Sequence, residues 1–379
     1  MSTTKPHRNL SRLICAAVVL TALGLSFGYG VGVGFYHWPP FSALKNVQDA
    51  LFDKRTTHDY RGEKELLQFA FTDPLIQGEQ IHAPITQLDG IYGANRSLLL
   101  PVERFFEAYD HLEVIDAALL VLDQGAIQVL KITYELAGDR YYAYAYAYAV
   151  APQKSGNGAA LVIPGSGLNQ SSVIYKNDPS NYHFGIIEAL GPSLDKFVLI
   201  KPNEDCLAFH DGRSKLNQDF FINWLLDMGA SYSAHYITNS LAITKYLQKQ
   251  YDKVVVAGLS QGGAAALLNS LQSQPHVAII ASGFSVVNAQ VKWAGHNQII
   301  IPGLQQRLSV DDIRSRMRVL PTSFLFTYGK DENGTYKIEA HERLTCEYLS
   351  TLQNVKCRIH EQGHIFPVDI IREFLSSKL

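Results

Sequence analysis

A serine between glycines follows an apolar run in the second half of the chain. Residues 253–257 read KVVVA, residues 258–262 read GLSQG, and small side chains continue through Ala266. A strand that turns sharply into a helix needs small residues around the turn, and such a turn exposes the serine hydroxyl above the sheet. Ser260 is therefore the candidate nucleophile, and the backbone N–H of Gln261 is a candidate oxyanion donor at a helix N-terminus. The alternative is a plain tight turn.

A second donor is expected at another strand exit. Residues 160–164 read ALVIP and are followed by Gly165, Ser166 and Gly167. Glycines allow backbone N–H groups to approach a ligand closely, as a tetrahedral oxyanion requires. The backbone N–H of Ser166 is the second candidate oxyanion donor, although a glycine-rich exit can also lack this role.

A serine hydroxyl needs a base within hydrogen-bond reach, so a histidine is expected after the last strand. Residues 355–367 read VKCRIHEQGHIFP. His364 follows Gly363 and precedes Pro367, which predicts a loop position before the terminal helix, and it is the candidate general base. His360 is expected to end the strand in a structural role.

The acid that orients the imidazole is expected between the serine and the histidine. Residues 323–329 read SFLFTYG and predict a strand, and Lys330, Asp331 and Glu332 follow it. Only one of the two carboxylates can face the imidazole. Asp331 and Glu332 both remain candidates.

Short apolar runs separated by helix-length stretches supply the elements that position these residues. The runs lie at residues 160–164, 196–202, 253–260, 277–283, 323–329 and 355–361. They predict an α/β fold with a mostly parallel sheet and helices on both faces, in which ligands bind at the carboxyl ends of the strands. Residues 128–136 and 141–150 alternate with period two and predict a hairpin with a turn at 137–140. We expect its tyrosine face to serve packing.

The order Ser260, then Asp331 or Glu332, then His364, at strand ends, resembles the α/β-hydrolase fold over about residues 128–379. Within that superfamily it is similar to compact serine esterases of the dienelactone hydrolase and acetyl xylan esterase type. The resemblance implies metal-free and cofactor-free hydrolysis of a carboxylic ester through an acyl-serine intermediate, with a small-molecule or acylated-carbohydrate ester as substrate. Pro164 is a departure, because many members have histidine there.

Three other functions are compatible with parts of the sequence. An acyltransferase would use the same triad and pass the acyl group to an alcohol, sugar or amine. A zinc metallopeptidase would use residues 360–364, which read HEQGH, but that motif requires a helix, and Gly363 and Pro367 disfavour one. A non-catalytic envelope scaffold would be expected to have lost part of the triad.

An uncharged apolar stretch lies near the N-terminus. Residues 13–36 contain no charged side chain and could cross a membrane as one helix of about 1.5 Å rise per residue. Basic residues precede it, so residues 1–12 are expected in the cytoplasm and the catalytic domain outside, in the periplasm or extracellular space. A cleaved signal peptide is the alternative. Gly24, Gly28 and Gly32 could support a homodimer in the membrane.

The remaining predictions concern organisation. Residues 37–114 are expected to be a linker and accessory segment, and residues 115–379 the hydrolase domain, with a cap at 288–319. The formal net charge of −2 and the absence of a long basic run give no sign of a nucleic-acid partner. Cys346 and Cys357 could form a disulfide in an oxidising compartment, or both could remain free thiols.

Overall fold

The computed structural model describes residues in the following positions: 26, 29, 108–122, 127–136, 139–148, 157–167, 169–202, 204, 231–288, 292–295, 301, 304, 308–330, 332 and 339–379. The chain divides into two compact units, Met1–Asp59 and Tyr60–Leu379. In the first unit the described residues, Ser26 and Tyr29, are helical. All the strands named below belong to the second unit.

The predicted transmembrane segment, residues 13–36, lies outside the described residues apart from Ser26 and Tyr29. Of the helices in the described part of the chain, none is both long and apolar enough to cross a membrane. Most of the predicted accessory segment, residues 37–107, also lies outside the described residues. The last two residues of the predicted segment, 113 and 114, are described and belong to the first strand of the sheet.

A nine-stranded sheet forms the centre of the second unit. Its strands are β1 Glu113–Leu122, β2 Ile127–Leu136, β3 Asp139–Tyr148, β4 Gly158–Ile163, β5 Leu194–Ile200, β6 Lys253–Leu259, β7 Val277–Ala281, β10 Ser323–Gly329 and β11 Val355–His360, and a separate two-stranded sheet contains β8 Phe284–Asn288 and β9 Lys292–Gly295. Their order in the main sheet is β1-β2-β3-β5-β4-β6-β7-β10-β11. The pairs β1-β2, β2-β3 and β3-β5 are antiparallel, and the pairs β5-β4, β4-β6, β6-β7, β7-β10 and β10-β11 are parallel. The predicted mostly parallel sheet is thus confirmed.

All six apolar runs form strands of this sheet, but the first strands differ from the prediction. The sequence does not predict β1, which begins at Glu113, two residues before the expected domain boundary. The hairpin turn is shorter than predicted, because Leu136 already pairs with Asp139. Ladder pairing therefore extends into the stretch expected to be a turn.

Helices cover both faces of the sheet. They are α1 Ala108–His111, α2 Gln170–Lys176, α3 Ile186–Ala189, α4 Tyr232–Gln250, α5 Gln261–Ser273, α6 Val310–Val319, α7 Glu339–Leu349 and α8 Val368–Ser376. Side chains from α4 to α7 contribute to one buried apolar cluster, and those from α2, α3 and α8 to the other. Within β6, Val254 and Val256 face the first cluster, whereas Val255 and Ala257 face the second. This alternation is why buried parallel strands read as continuous apolar runs.

The tyrosines of β3 serve packing, as predicted. Tyr144 and Tyr146 are buried. Tyr146 stacks on Tyr175 of α2 with ring centroids 4.9 Å apart, and Tyr148 meets the same ring edge-on at 5.4 Å. The aromatic face therefore fixes α2 on the sheet.

The segment predicted as a cap, residues 288–319, includes the helix α6. Val310, Ile313 and Met317 of α6 are buried in the same cluster as α5. This helix is thus part of the layer that covers the sheet. Residues 289–291, 296–300, 302–303 and 305–307 lie outside the described residues, and a cap there stays a prediction.

A disulfide links Cys346 of α7 to Cys357 of β11. Of the two alternatives left open by the sequence, the structure contains the bonded one. The bond attaches a covering helix to the outermost parallel strand, whose end leads directly into the loop that carries His364. Cys15 and Cys206 lie outside the described residues.

Candidate active site

Ser260 occupies the sharp turn between β6 and α5. Its backbone has φ 61° and ψ −123°, a left-handed conformation that is costly for a residue with a side chain. Its N–H donates to the carbonyl oxygen of Ala281 at 2.8 Å, which ties the turn to the neighbouring strand β7. A Cβ atom on Gly258 would lie 2.1 Å from the carbonyl oxygen of Gly262. The small residues are therefore required by the close return of the backbone.

His364 lies in the loop between β11 and α8, beside a buried carboxylate. Its Nδ1 is 3.5 Å from Oε2 of Glu332, and Glu332 is only 5% exposed. Oε1 of Glu332 accepts a hydrogen bond from the N–H of Gly329 at 2.8 Å and another from the hydroxyl of Ser282. Asp331 lies outside the described residues. The structure thus brings Glu332 to the imidazole and fixes it there from two strand ends.

The contact between His364 and Glu332 is slightly longer than a hydrogen bond. Oε2 of Glu332 is buried and accepts no hydrogen bond from any described residue, so the imidazole is the polar group that it faces. Catalytic hydrogen bonds are often loose before the substrate binds. An imidazole whose Nδ1 faces this carboxylate has its Nε2 free to face a hydroxyl.

Tyr182 stacks on the imidazole of His364. The two rings are stacked with centroids 5.6 Å apart, and the side chain of His364 remains 29% exposed. Burial raises the pKa of Tyr182 to about 12, so its hydroxyl is a neutral donor, and it donates to the carbonyl oxygen of Ser166 at 2.9 Å. Tyr182 therefore connects the histidine to the second strand exit.

That strand exit, residues 164–167, is called the oxyanion loop below, and it lies against the serine turn. A Cβ atom on Gly165 would be 2.9 Å from the carbonyl oxygen of Leu259, and one on Gly262 would be 2.7 Å from that of Pro164. The backbone N–H groups of Ser166 and Gln261 thus belong to adjoining segments. Neither donates to a protein group within the described part of the chain. They stay the candidate oxyanion donors predicted from the sequence.

His183 fixes the start of the oxyanion loop. Its Nε2 accepts from the N–H of Gly165 at 2.8 Å, and its Nδ1 contacts Oδ1 of Asn181 at 2.9 Å. The N–H of His183 itself also donates to Oδ1, which identifies this atom as the amide oxygen. Burial, with the nearby Lys201 and His364, holds the pKa of His183 well below its usual value, so the ring is neutral with its proton on Nδ1. The N–H of Gly165 is therefore not available to a substrate.

The strand order of the sheet and the strand-serine-helix turn match the α/β-hydrolase fold predicted from the sequence. Solved structures similar to it include acetyl xylan esterases from Paenibacillus sp. R4, with 15% identity, TM-score 0.46 and coverage of 78% of this chain and 100% of that chain, and from Thermoanaerobacterium sp. JW/SL YS485, with 14%, 0.46, 78% and 97%. A glucuronoyl esterase from Caldicellulosiruptor kristjansonii has 14% identity, TM-score 0.43 and coverage of 73% and 84%. No family model and no curated protein matches the sequence.

The alternative zinc motif lacks the helix on which it depends. His360 ends β11, and the residues from 361 to 365 form bends. His360 is buried, and both of its ring nitrogens lack a hydrogen-bond partner among the described residues. Burial lowers its pKa, while the nearby Glu332 opposes this change. The second histidine of the motif thus lies in a loop and the first at the end of a strand, so the two do not share a helix face.

Sequence reasoning missed four side chains around the site: Tyr182, His183, Lys201 and Ser282. Lys201 directly follows β5, which ends at Ile200, and Ser282 directly follows β7, which ends at Ala281. Both therefore lie at the carboxyl ends of strands, where the triad was predicted. The same strand-end rule could have identified Lys201 and Ser282. Tyr182 and His183 lie in a long loop with no periodic signal.

Proposed function

We propose that this chain is a serine hydrolase that cleaves a carboxylic ester through an acyl-serine intermediate. The proposal rests on one observation above all. A histidine faces a buried carboxylate and stacks on a tyrosine ring, and the hydroxyl of this tyrosine donates to the loop that borders a serine in a left-handed turn. This combination can activate a hydroxyl and receive the charge that develops on the substrate.

In the first half of the reaction, Oγ of Ser260 attacks the ester carbonyl carbon. Nε2 of His364 takes the hydroxyl proton, and Glu332 stabilises the resulting imidazolium through Nδ1. The negative oxygen of the tetrahedral intermediate receives hydrogen bonds from the N–H groups of Gln261 and Ser166. The intermediate collapses as the bond to the alcohol oxygen breaks, and His364 returns the proton to the departing alcohol.

In the second half, water attacks the acyl-serine while His364 takes one of its protons. The acid leaves, and the proton returns to Ser260. The partial exposure of the His364 side chain supports hydrolysis over acyl transfer, because water can reach the base. An acyltransferase would need to exclude water from this position.

For the substrate, we propose a small-molecule or acylated-carbohydrate ester, the class implied by the sequence resemblance. p-Nitrophenyl acetate and an acetylated sugar would test the acyl and alcohol preferences separately. No step of the proposed reaction requires a metal or an organic cofactor.

We further propose that residues 13–36 anchor the chain in a membrane and that the hydrolase domain lies on the non-cytoplasmic side. The length and apolar character of this segment support the anchor. The Cys346–Cys357 bond supports the location, because structural disulfides persist in oxidising compartments.

Fluorophosphonate labelling tests the nucleophile directly. The native chain should react covalently, and Ser260→Ala should not, because the probe phosphorylates only an activated hydroxyl. Ser270→Ala is the control, since it removes a buried hydroxyl of α5 that has no hydrogen-bond partner among the described residues, and it should retain labelling. Equal labelling of the native chain and Ser260→Ala would refute Ser260 as the nucleophile.

A further inference from the structure

Every carbonyl oxygen of the oxyanion loop accepts a hydrogen bond from a side chain behind it. Tyr236 donates to Pro164 at 2.5 Å, and Tyr182 donates to Ser166 at 2.9 Å. Nζ of Lys201 donates to both remaining carbonyls, those of Gly165 at 2.8 Å and Gly167 at 2.5 Å. All four carbonyl oxygens of the loop are therefore hydrogen-bonded to the side chains of Tyr182, Lys201 and Tyr236.

The bond from Lys201 to Gly165 has a specific electronic consequence. The carbonyl of Gly165 and the N–H of Ser166 belong to the same planar peptide unit. A cationic donor on the oxygen of this unit withdraws electron density from its nitrogen and increases the positive charge on its hydrogen. Hydrogen bonds in chains strengthen one another in this way. That hydrogen is the one assigned to the oxyanion.

We propose that Lys201 is a positioning residue for catalysis, which polarises the Gly165–Ser166 peptide so that the Ser166 N–H binds the transition-state oxyanion more strongly. This inference rests on the proposed function. Lys201 touches neither substrate nor the reacting atoms. It acts through the Gly165–Ser166 peptide unit, and its second hydrogen bond, to the carbonyl oxygen of Gly167, holds the following part of the loop.

The burial of Lys201 argues that the arrangement is specific. Its side chain is 0% exposed, and removing an ammonium from water costs several kcal/mol unless it is well paired. Glu204, also fully buried, supplies the opposite charge nearby, and its carboxylate accepts hydrogen bonds from the backbone N–H and hydroxyl of Ser171 at the start of α2. Simple anchoring of a loop would not require a buried cation, because the tyrosines already anchor it with neutral donors.

The groups that face Lys201 decide its charge. Glu204 raises its pKa, but burial is the larger effect and lowers it to about 8. His183 stays neutral, and burial raises the pKa values of the neighbouring Tyr182, Tyr232 and Tyr236, so these also remain neutral near pH 8. Lys201 is therefore cationic at neutral pH and loses its proton as the pH rises through about 8. Polarisation of the peptide should be lost over the same range.

Kinetics of Lys201→Met provide the test. Methionine keeps most of the volume of the side chain and removes its charge and donors. We expect kcat/KM for p-nitrophenyl acetate to fall roughly 10-fold or more, by comparison with the loss of a whole oxyanion donor, with little change in KM. Affinity for a trifluoromethyl ketone, whose adduct with Ser260 carries an oxyanion, should fall by a similar factor.

The pH profile distinguishes polarisation from simple support of the fold. The native enzyme should lose kcat above about pH 8, and this alkaline limb should be absent in Lys201→Met. Lys196→Met is the matched control, because Lys196 lies on β5, the strand that Lys201 directly follows, is only partly buried, and donates to the carbonyl oxygen of Leu194 at 3.1 Å. It should keep the native rate and the alkaline limb.

Two outcomes would overturn the proposal. One is Lys201→Met with native affinity for the trifluoromethyl ketone, and the other is a reduced rate with an unchanged alkaline limb. If Lys201→Met does not fold, the double variant Lys201→Met/Glu204→Gln removes both buried charges together and is judged by the same two measurements. Fluorophosphonate labelling of the native chain is independent of Lys201, so its failure would refute the proposed function separately.

Discussion

The imidazole of His364 has one buried carboxylate beside it, and the fixed position of this carboxylate makes it the acid that we propose. Glu332→Gln keeps the shape and the bond from Gly329 but removes the negative charge that favours the imidazolium. We expect kcat to fall by roughly 10³-fold or more, as when the carboxylate of a serine protease triad becomes an amide. Steady-state kinetics on p-nitrophenyl acetate would measure the change.

Asp331→Asn is the matched control for this prediction. It makes the same chemical change one residue earlier, and the rate should stay near that of the native chain. A large loss in Asp331→Asn with a normal Glu332→Gln variant would assign the acid to the other carboxylate.

The choice between these two residues illustrates what sequence can and cannot decide at this scale. Adjacent carboxylates look equivalent in a chain, and the hydrogen bonds that support Glu332 as the proposed acid come from the hydroxyl of Ser282 and the N–H of Gly329, at two different strand ends. The candidate nucleophile and the candidate base could be proposed without such contacts, because glycines and the order of strands indicate their positions in the sequence.

At the level of elements, the disulfide between α7 and β11 closes a short loop next to the histidine-bearing end of the sheet. The two cysteines are 11 positions apart. In the chain-entropy model a loop of this size stabilises the folded state by about 3 kcal/mol. The double variant Cys346→Ser/Cys357→Ser should lose about that much unfolding free energy in urea titrations while keeping its activity at low temperature.

Treatment of the native chain with dithiothreitol should give the same loss of stability as the double variant. Equal urea midpoints for oxidised and reduced native chain would show that the bond contributes nothing measurable. A loss of activity at low temperature would instead indicate that the bond also positions the loop of His364.

Buried parallel strands were readable from the sequence because both of their faces are apolar, which gives continuous runs such as the one at 253–257. The edge strand β1 was not, because its solvent-facing side carries a mixture of polar and apolar residues, which gives no regular alternation. Lys201 and His183 were missed for a related reason. Their roles depend on backbone carbonyls and N–H groups, which no side-chain pattern reports.

At the scale of the whole molecule, the proposed anchor determines where the proposed hydrolase domain works. The full chain should remain with membranes after washing with alkaline carbonate, whereas a chain lacking residues 1–36 should be released. Fractionation followed by esterase assay of each fraction would measure this. Release of an active product that has lost its N-terminal segment, from cells expressing the full chain, would favour the cleaved signal peptide.

The state of the cysteines reports on the same question. In a chain lacking residues 1–36 and retained in the cytosol, Cys346 and Cys357 should be free thiols and react with a maleimide-polyethylene glycol reagent. The full chain should not be modified at these positions. Free thiols in the full chain would contradict the proposed non-cytoplasmic location.

The left-handed backbone of Ser260 also bears on how such a protein evolves. Glycine would adopt this conformation with less strain, so the serine costs the native state of the order of 1 kcal/mol that the chain could recover by a single change. Selection for durability alone would remove it. Under the proposed function, a strained serine at this position is a compromise between robustness and turnover, and a lineage freed from the need for activity would be expected to abandon this residue early.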